Sequence, residues 1–475
     1  MEKNLEIEIS KTNRGKEQII SNRKYKFNLS SKRKHNSKKY KCTEYKTLNQ
    51  CPSFIILNNE NQILEYDDSH YHLENKFGAA KSIVKNKIKD EISKSSIPFN
   101  VNIKRTYDEI SQGMGLICPG YNSIKSQVTR SRRKQLPPDI TSFDEIPNES
   151  KYYKTKRDEN FMIFKNNDLI VFQSPFQAEL FSKNKHIFAD GTFYIAPIFS
   201  YQVFITRTYV TELNCFYTTS FSILKNKKQT TYEILFEEIK KNSSKYNSIE
   251  ITPKIFHCDF EKAVSNAAQK VFINANIKYC IWHFKRALEI KKKELCGDKV
   301  EKIKDLYIYY NNISNFPFIN PEYIYDIYSK IKSECQEHNY VQFLEFLEYF
   351  KKTYLINYET ENWNYYDNIE HITNNVSETF NKYLKKLFAK KPTFFQLLSE
   401  SQKEESKYYI DYERRTAGIL RNKKQKKLIR TEEIKALVKY YKNMEILLKK
   451  KESVRNDFID LWLKCLNDLN IKIID

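Results

Sequence analysis

No apolar run in the 475-residue chain approaches the roughly 20 residues that a membrane-spanning helix needs. The first ten residues alternate charged and aliphatic side chains and contain no apolar signal-peptide core. The nine cysteines are odd in number and scattered along a long chain, which disfavours a disulfide framework. These absences predict an intracellular protein with reduced thiols and no membrane partner.

Acidic residues are outnumbered, because 59 Asp and Glu face 81 Lys and Arg and leave a formal charge of +22. Such an excess favours a polyanionic partner, with nucleic acid as the leading candidate. A lysine-rich surface can also follow from an AT-biased coding sequence, which the small number of glycines, eight, supports. Basic runs at 130–134 and 421–427 are compatible with nuclear import, so we predict a location in the nucleus.

Pattern and composition divide the chain into segments. Pro137 and Pro138 stop any helix, and the charges around them resist burial, which is typical of a linker. The predicted segments are a small β module (18–73), a helical segment (74–126), a basic linker (127–158), the first part of an α/β core (159–284), an all-α insertion (285–370), a further core helix (371–400) and a helical C-terminal region (401–475).

The α/β core is predicted to follow the order βββαβαβ. Short connections between its first three strands favour an antiparallel meander. The strand candidates are 187–195, 201–209, 215–224, 255–258 and 277–282. This order is similar to that of the RNase H-like fold, in which carboxylates converge at one edge of a mixed sheet.

Three carboxylates lie where such a sheet would bring them together. Asp190 and Asp259 follow apolar runs of the first and fourth strands, and Glu378 opens an amphipathic helix far downstream. Taken singly, they could be a turn residue, a helix N-cap and a solvated helix position. Taken jointly, they are the set that two magnesium ions need to align a water or a DNA 3′-hydroxyl for in-line attack on a phosphodiester.

The motifs around these carboxylates resemble those of Mutator-like element (MULE) transposases that carry an N-terminal FLYWCH-type zinc finger. The matching motifs occur in the family's order over about residues 130 to 400, at 190–193, 231–236, 259–261, 280–284, 363–364 and 373–378. The chain departs from the family pattern at Thr379 and Asn381, which replace a Gly and a His that often follow the family's Glu. It also lacks the C-terminal SWIM-type zinc motif of some relatives.

The resemblance implies an α/β protein with an RNase H-like mixed sheet, an α-helical insertion, a small N-terminal β zinc-finger module and a helical C-terminal region. It implies that Asp190, Asp259 and Glu378 form a DDE triad that binds Mg²⁺ or Mn²⁺. The expected activity is cleavage of double-stranded transposon-end DNA and transfer of the strand to target DNA, by a homo-oligomer on DNA. The alternative is a domesticated, transposase-derived transcriptional regulator that binds DNA without using the catalytic site. A nuclease acting on RNA or hybrids is disfavoured by the helical insertion and the finger.

The resemblance further implies a Zn²⁺ site in the N-terminal module, formed by Cys42, Cys51, His70 and His72. The two histidines alternate across a single tyrosine, so both rings are expected on one side of a strand. A small β module with a thin core needs such a metal. The alternative is two unrelated free cysteines and two surface histidines.

Cys280 and His283 form a family-typical Cys-x-x-His pair that is expected on the fifth strand. Two ligands cannot complete a tetrahedral zinc site, and His257 and Cys258 on the neighbouring strand are the only nearby candidates to add to them. We therefore favour a role in packing or in supporting the metal-binding carboxylates. Glu261 is expected to stabilise a helix start, with an outer contact to the metal as the alternative.

DNA contacts are predicted from charge, although a solvated surface would show the same pattern. Trp363 is a candidate for stacking on an unpaired base, with a core position as the more common alternative for a tryptophan in a helix-rich region. The basic residues assigned to DNA are Arg23, Lys24, Lys32, Arg33, Lys38, Lys39, Arg130, Arg132 and Arg133.

Overall fold

The computed structural model divides the chain into two compact units, Met1–Pro138 and Asp139–Asp475. It describes residues 5–12, 15–33, 36–94, 103–135, 137–246, 251, 253–367, 369, 375–420 and 429–473, with only the backbone for 132–135, 375–379, 381, 429–431 and 470–473. Within these ranges, no helix combines the length and the apolar character that crossing a membrane requires.

The first unit contains an antiparallel sheet in which each strand pairs with the next one along the chain. Its strands are β1 (Ile7–Lys11), β2 (Glu17–Ser21), β3 (Tyr25–Lys32), β4 (Lys38–Cys42), β5 (Phe54–Leu57) and β6 (Ile63–Asp67). One face buries Ile19, Phe27 and Ile55 in a small core that also contains Cys42 and Cys51. The sheet starts at β1, earlier than the predicted boundary at residue 18, because β1 pairs with β2 along its whole length.

Three helices follow this sheet, namely α1 (Lys76–Lys94), α2 (Ile103–Gln112) and α3 (Asn122–Gln135). They form a second core, in which Ala80, Val84 and Ile88 of α1 are buried at helical spacing. The basic run that was assigned to a linker begins inside α3, which corrects the predicted linker start at 127. Lys and Arg are good helix formers, so the helix continues until shortly before Pro137.

The second unit is built on a mixed sheet. Its strands are β7 (Met162–Lys165), β8 (Leu169–Phe172), β9 (His186–Thr192), β10 (Gln202–Val210), β11 (Cys215–Leu224), β12 (Ile255–Cys258) and β13 (Asn276–Tyr279). Their spatial order is β13-β12-β9-β10-β11-β8-β7. β9, β10 and β11 form an antiparallel meander, whereas β12 and β13 run parallel to β9. The predicted meander and the predicted order of strands and helices along the chain are confirmed.

Helices α4 (Pro175–Lys183), α5 (Gln229–Ser244) and α6 (Lys262–Val271) flank this sheet. The Ser174 side chain caps α4, with Pro175 in the first turn. α5 buries Tyr232, Leu235 and Phe236 at helical spacing in the main core of the unit. α6 is the crossover that the parallel strands β12 and β13 require.

The remaining elements are helical. They are α7 (Ile281–Cys296), α8 (Lys299–Lys302), α9 (Lys304–Ser314), α10 (Ile324–Glu337), α11 (Val341–Phe350) with a π-helical continuation to Ile356, α12 (Thr360–Trp363), α13 (Asn375–Leu387), α14 (Phe394–Thr416), α15 (Ile429–Lys450) and α16 (Arg455–Ile473). α14 returns to the sheet, where Tyr408 and Tyr412 contact Tyr217 of β11. The helical region therefore packs against the strands and shares their core.

Candidate active site and metal centres

Two cysteines and two histidines converge in the first unit. Cys42 ends β4 and Cys51 lies in the loop before β5, whereas His70 and His72 lie in the bend after β6. One ligand atom of each residue lies within 4.8 Å of all the others. This is the donor set and the ligand number of a tetrahedral zinc site. The four residues therefore fit Zn²⁺, although the histidines follow the strand and do not lie on it.

Polar partners orient both imidazole rings toward the cysteines. His72 Nε2 lies 3.2 Å from Cys42 Sγ, and its Nδ1 lies 2.9 Å from the backbone carbonyl of the next residue. His70 Nδ1 lies 3.4 Å from Cys51 Sγ, and its Nε2 lies 3.3 Å from the Ser53 hydroxyl. A partner on the outer nitrogen determines which ring nitrogen faces a metal. The two rings thus present different nitrogens to one point.

Burial sets the charge of this cluster before a metal binds. It lowers the pKa of His70 to about 4 and raises the pKa of the Cys42 thiol to about 12. Tyr25 covers His70, with 3.5 Å between the ring centroids. Because zinc binds thiolates, metal binding here must release the thiol protons.

A second cluster lies at the carboxyl ends of β9 and β12. These strands are adjacent and parallel, and Phe188 pairs with His257 two residues before Asp190 and Asp259. Both aspartates line one small cleft and are partly exposed. The sheet therefore brings together two carboxylates that are 69 residues apart in sequence (259 − 190).

Two further charged residues, Glu261 and Lys227, line the same cleft. Lys227 Nζ lies 2.6 Å from Glu261 Oε2, and the Tyr232 hydroxyl donates to Glu261 Oε1 at 2.9 Å. Glu261 occupies the N-cap position of α6, but its side chain makes these contacts and does not cap the helix. Lys227 was missed in the sequence, because one lysine after a strand gives no signal in a lysine-rich chain.

Gly191, which follows Asp190, is explained by close packing. A Cβ at this position would lie 2.4 Å from Gln202 Oε1. Gln202 is buried, and its Nε2 donates to the Tyr232 hydroxyl at 2.6 Å. Gly191 packs against Gln202, Gln202 donates to Tyr232, and Tyr232 donates to Glu261. This series of contacts connects the Asp190-Gly191 motif to Glu261, which also lines the cleft.

Glu378 lies on α13, and its side chain falls outside the residues that the structure describes. Other side chains show where this helix packs. The Arg207 guanidinium of β10 lies 4.0 Å from the ring centroid of Phe380, and β10 is the neighbour of β9. Burial lowers the pKa of Arg207, whereas Tyr408 and Asp190 act in the opposite direction. The helix that carries Glu378 thus packs beside β10, the neighbour of the strand that carries Asp190.

Helix α14 contacts α13, the segment before β7 and the start of α4. The Tyr383 hydroxyl of α13 donates to Glu404 at 2.8 Å, and burial raises the pKa of Glu404. The adjacent Glu405 is fully buried, accepts a hydrogen bond from Ser174 at 2.6 Å and pairs with Arg157 at 2.6 Å. These contacts hold α13 and α14 in place.

Cys280 and His283 lie at the junction of β13 and α7, so the prediction that they share a strand is wrong. Cys280 is the N-cap residue of α7, and His283 lies in its first turn. His283 Nδ1 is 2.7 Å from Asp259 Oδ1. Burial lowers the pKa of His283, but contacts with Asp259 and Cys280 outweigh it and raise the pKa to about 10. His257, which was a candidate to join this pair, stacks on Phe188, with 4.1 Å between the ring centroids.

Trp363 belongs to the core, and its assignment to base stacking is wrong. Its side chain is 1% exposed. The indole nitrogen donates to the Tyr354 carbonyl at 3.1 Å, and the ring stacks on Phe284. The surrounding aromatic side chains cover the ring, so neither of its faces is accessible to a base.

Four basic residues assigned to DNA are engaged within the first unit. Arg23, Lys24 and Lys38 each form an ion pair with a glutamate at 2.8 or 2.9 Å. Lys39 Nζ lies 3.7 Å from the centroid of an aromatic ring. Phosphate contacts by these residues would compete with these partners.

The other basic residues assigned to DNA differ in position. Lys32 and Arg33 are exposed at the end of β3, and Arg130 is exposed on α3. The side chains of Arg132 and Arg133 fall outside the described residues. Lys32, Arg33 and Arg130 are therefore the best-placed candidates for contacts with phosphate.

The two sites define a protein with a zinc-binding β module and an α/β domain with an acidic cleft. Comparison with known families names both parts: residues 9–72 match the FLYWCH zinc finger domain, and residues 186–287 match the MULE transposase domain. The predicted resemblance is confirmed, and the pair of domains indicates a transposase-type protein with a DNA-binding finger. The transposase match includes Asp190, Asp259, Cys280 and His283 and ends before Glu378. No curated protein matches this chain.

Proposed function

We propose that the second unit is the catalytic domain of a DDE-type DNA transposase with an RNase H-like fold. The observation that carries the proposal is the meeting of Asp190 and Asp259 in one cleft at the ends of adjacent parallel strands. The meander β9–β11, with β12 and β13 on its other side, supports the fold assignment. The reaction would be metal-dependent cleavage of transposon-end DNA followed by strand transfer to target DNA.

The donor set of the cleft fits Mg²⁺ or Mn²⁺. Asp190 and Asp259 offer carboxylate oxygens, which are the ligands that Mg²⁺ prefers. Glu378 is assigned as the third ligand because α13 packs beside β10, which pairs with the strand that carries Asp190. Divalent ions held there would activate a water or a 3′-hydroxyl and stabilise the charge that develops on the phosphate.

Lys227 and Tyr232 affect the charge of the cleft and the position of Glu261 within it. Clustered carboxylates repel one another, and Lys227 reduces this repulsion through its contact with Glu261. Its side chain is 34% exposed and can therefore also reach a DNA phosphate. Tyr232 keeps Glu261 in a fixed position by donating to its other oxygen.

The finger is proposed to hold the transposon end, with Lys32 and Arg33 as phosphate contacts. Assembly of a homo-oligomer on DNA and a nuclear location are parts of the same proposal. The zinc site supports the folded finger and takes no part in the chemistry.

Cleavage by variants of the full-length chain tests the assignment. Supercoiled plasmid carrying the genomic DNA that flanks the gene is incubated with Mg²⁺ or Mn²⁺, and nicked and linear products are measured. We expect Asp190→Asn and Asp259→Asn to abolish cleavage while DNA binding, measured by anisotropy, stays unchanged. Asp298→Asn, an exposed turn residue outside the cleft, is the matched control and should cleave normally.

Two outcomes decide against the proposal. Unaltered cleavage by Asp190→Asn or Asp259→Asn would exclude these carboxylates. DNA binding by the unmodified chain without metal-dependent cleavage would instead support the domesticated regulator.

A further inference from the structure

Three side chains with different donor atoms meet beside the acidic cleft. Asp259 follows β12, and Cys280 and His283 lie three residues apart at the start of α7, which places them on one face of the helix. One ligand atom each of Asp259, Cys280 and His283 lies within 4.8 Å of the other two. The Cys280 backbone N–H donates to the Cys258 carbonyl at 3.0 Å and so ties the two segments together.

The ligand atoms are buried and poorly paired. The Cys280 side chain is almost fully buried, whereas the side chains of His283 and Asp259 are 32% and 31% exposed. His283 Nδ1 and Asp259 Oδ1 are themselves buried and lie 2.7 Å apart. Among the described residues, neither atom has a hydrogen bond of suitable direction. Buried polar atoms without a directed hydrogen bond require an explanation, and a shared ion also accounts for the approach of the Cys280 thiol to this pair.

We propose that Asp259, Cys280 and His283 bind a transition-metal ion of the zinc class, separate from the zinc of the finger. A donor set of one sulfur, one nitrogen and one oxygen suits Zn²⁺, and three protein ligands leave a fourth position for water. A cysteine ligand selects against Mg²⁺, which binds oxygen. Because a carboxylate has two oxygens, Asp259 can serve this site and still line the cleft.

The bound ion would position Asp259 relative to Asp190. The ion would tie the end of β12, where Cys258 and Asp259 line the cleft, to the first turn of α7. This role explains why the Cys-x-x-His spacing falls on a strand-to-helix junction. It does not depend on whether the cleft cleaves DNA.

Zinc counting on the full-length chain tests the site. The protein is purified without chelator and its zinc content is measured by mass spectrometry. We expect two zinc ions per chain, and one in the His283→Gln and Cys280→Ser variants. Cys296→Ser removes a buried thiol from the same helix, outside the cluster, and should retain two.

A finger variant separates the two sites. Cys42→Ser combined with Cys51→Ser should leave one zinc ion, and adding His283→Gln should leave none. Asp190→Asn should keep both ions, so failure of the catalytic proposal and failure of this proposal give different results. Far-UV circular dichroism checks folding, and His283→Gln is the decisive variant because that side chain is partly exposed.

Two results would overturn the site. The first is a single zinc ion per chain that disappears with the finger cysteines. Two zinc ions that persist in folded His283→Gln and Cys280→Ser variants would place the second ion elsewhere and overturn it equally.

Discussion

The finger sheet and the larger mixed sheet differ in what stabilises them. The core of the finger sheet is small and includes Cys42 and Cys51, two ligands of its zinc site. In the mixed sheet, β10 and β11 are buried along almost their entire length, and their core continues into the helical region. A thin core depends on a metal, whereas a sheet within a layered domain is stabilised by apolar burial.

The same contrast applies to what metals do in the two units. In the finger, the four candidate ligands lie within the fold, and a metal bound there would join the end of β4 to the segment after β6. In the second unit, the acidic cleft lies at the edge of a sheet that is already complete. Metal removal is therefore expected to unfold one sheet and leave the other folded.

The largest expected effect is the loss of the finger fold on zinc removal. Structural zinc contributes on the order of 10 kcal/mol to the folding of zinc fingers. After treatment with a strong chelator, amide hydrogens of 17–42 should exchange rapidly, while those of 202–224 stay protected. Hydrogen exchange with mass spectrometry measures both regions in one sample. If the amides of 17–42 stayed protected without zinc, the finger sheet would not depend on its metal, and the contrast with the mixed sheet would fail.

The second prediction concerns a buried ion pair of the mixed-sheet unit. Arg157→Met leaves the fully buried Glu405 without its cationic partner, so the free energy of unfolding should fall by about 3 kcal/mol. The three tryptophans, Trp282, Trp363 and Trp462, all lie in this unit, so their fluorescence during urea denaturation reports its stability alone. Arg455→Met, which removes an exposed ion pair with Asp326, is the control. It should cost less than about 1 kcal/mol, and an equal loss in both variants would contradict the prediction.

The third prediction concerns the support of the cleft and rests on the proposed catalytic function. Tyr232→Phe removes the hydroxyl that donates to Glu261, which should weaken Mn²⁺ binding about tenfold, since outer partners of metal sites contribute 10–100-fold. Calorimetric titration with Mn²⁺ measures the change. Tyr310→Phe removes a similar hydrogen bond to Glu289 outside the cleft and is the matched control. Unchanged affinity in Tyr232→Phe would show that Glu261 does not influence the ions.

The smallest effect is expected on the surface of the finger. Lys32→Ala and Arg33→Ala should each weaken DNA binding and reduce the slope of log affinity against log salt by about 1. Lys38→Ala should change the slope less, because Lys38 already pairs with Glu17 at 2.9 Å. Anisotropy titrations at several salt concentrations distinguish the three variants. Equal salt slopes in the three variants would show that Lys32 and Arg33 of the finger do not contact DNA phosphates.

Much of the fold could be predicted, because strands and helices depend on spacing over a few residues. The order of strands and helices along the chain and the antiparallel meander followed from strand patterns and short connections. Errors occurred at element boundaries. β13 ends at Tyr279 and not at 282, since Cys280 begins a helix, and α3 extends into the basic run.

The candidate sites were only partly predictable. The Cys and His of the finger and the two aspartates carry motif signals, because their residue types are uncommon in these patterns. Lys227 carries none, and it became a candidate only because it contacts Glu261. Trp363 was ambiguous in sequence, since an aromatic side chain suits both a core and a base-stacking surface.

Local patterns in the chain specify its strands, its helices, its basic character and the residue types that bind metals. These features depend on neighbours along the backbone and on composition, so they need no knowledge of packing. Other features depend on the docking of segments that are distant in sequence. They are the contact of Asp259 with His283, the ion pair of Lys227 with Glu261 and the packing of α13 beside β10. Burial and hydrogen bonding across such segments select one arrangement among many that the same local patterns allow.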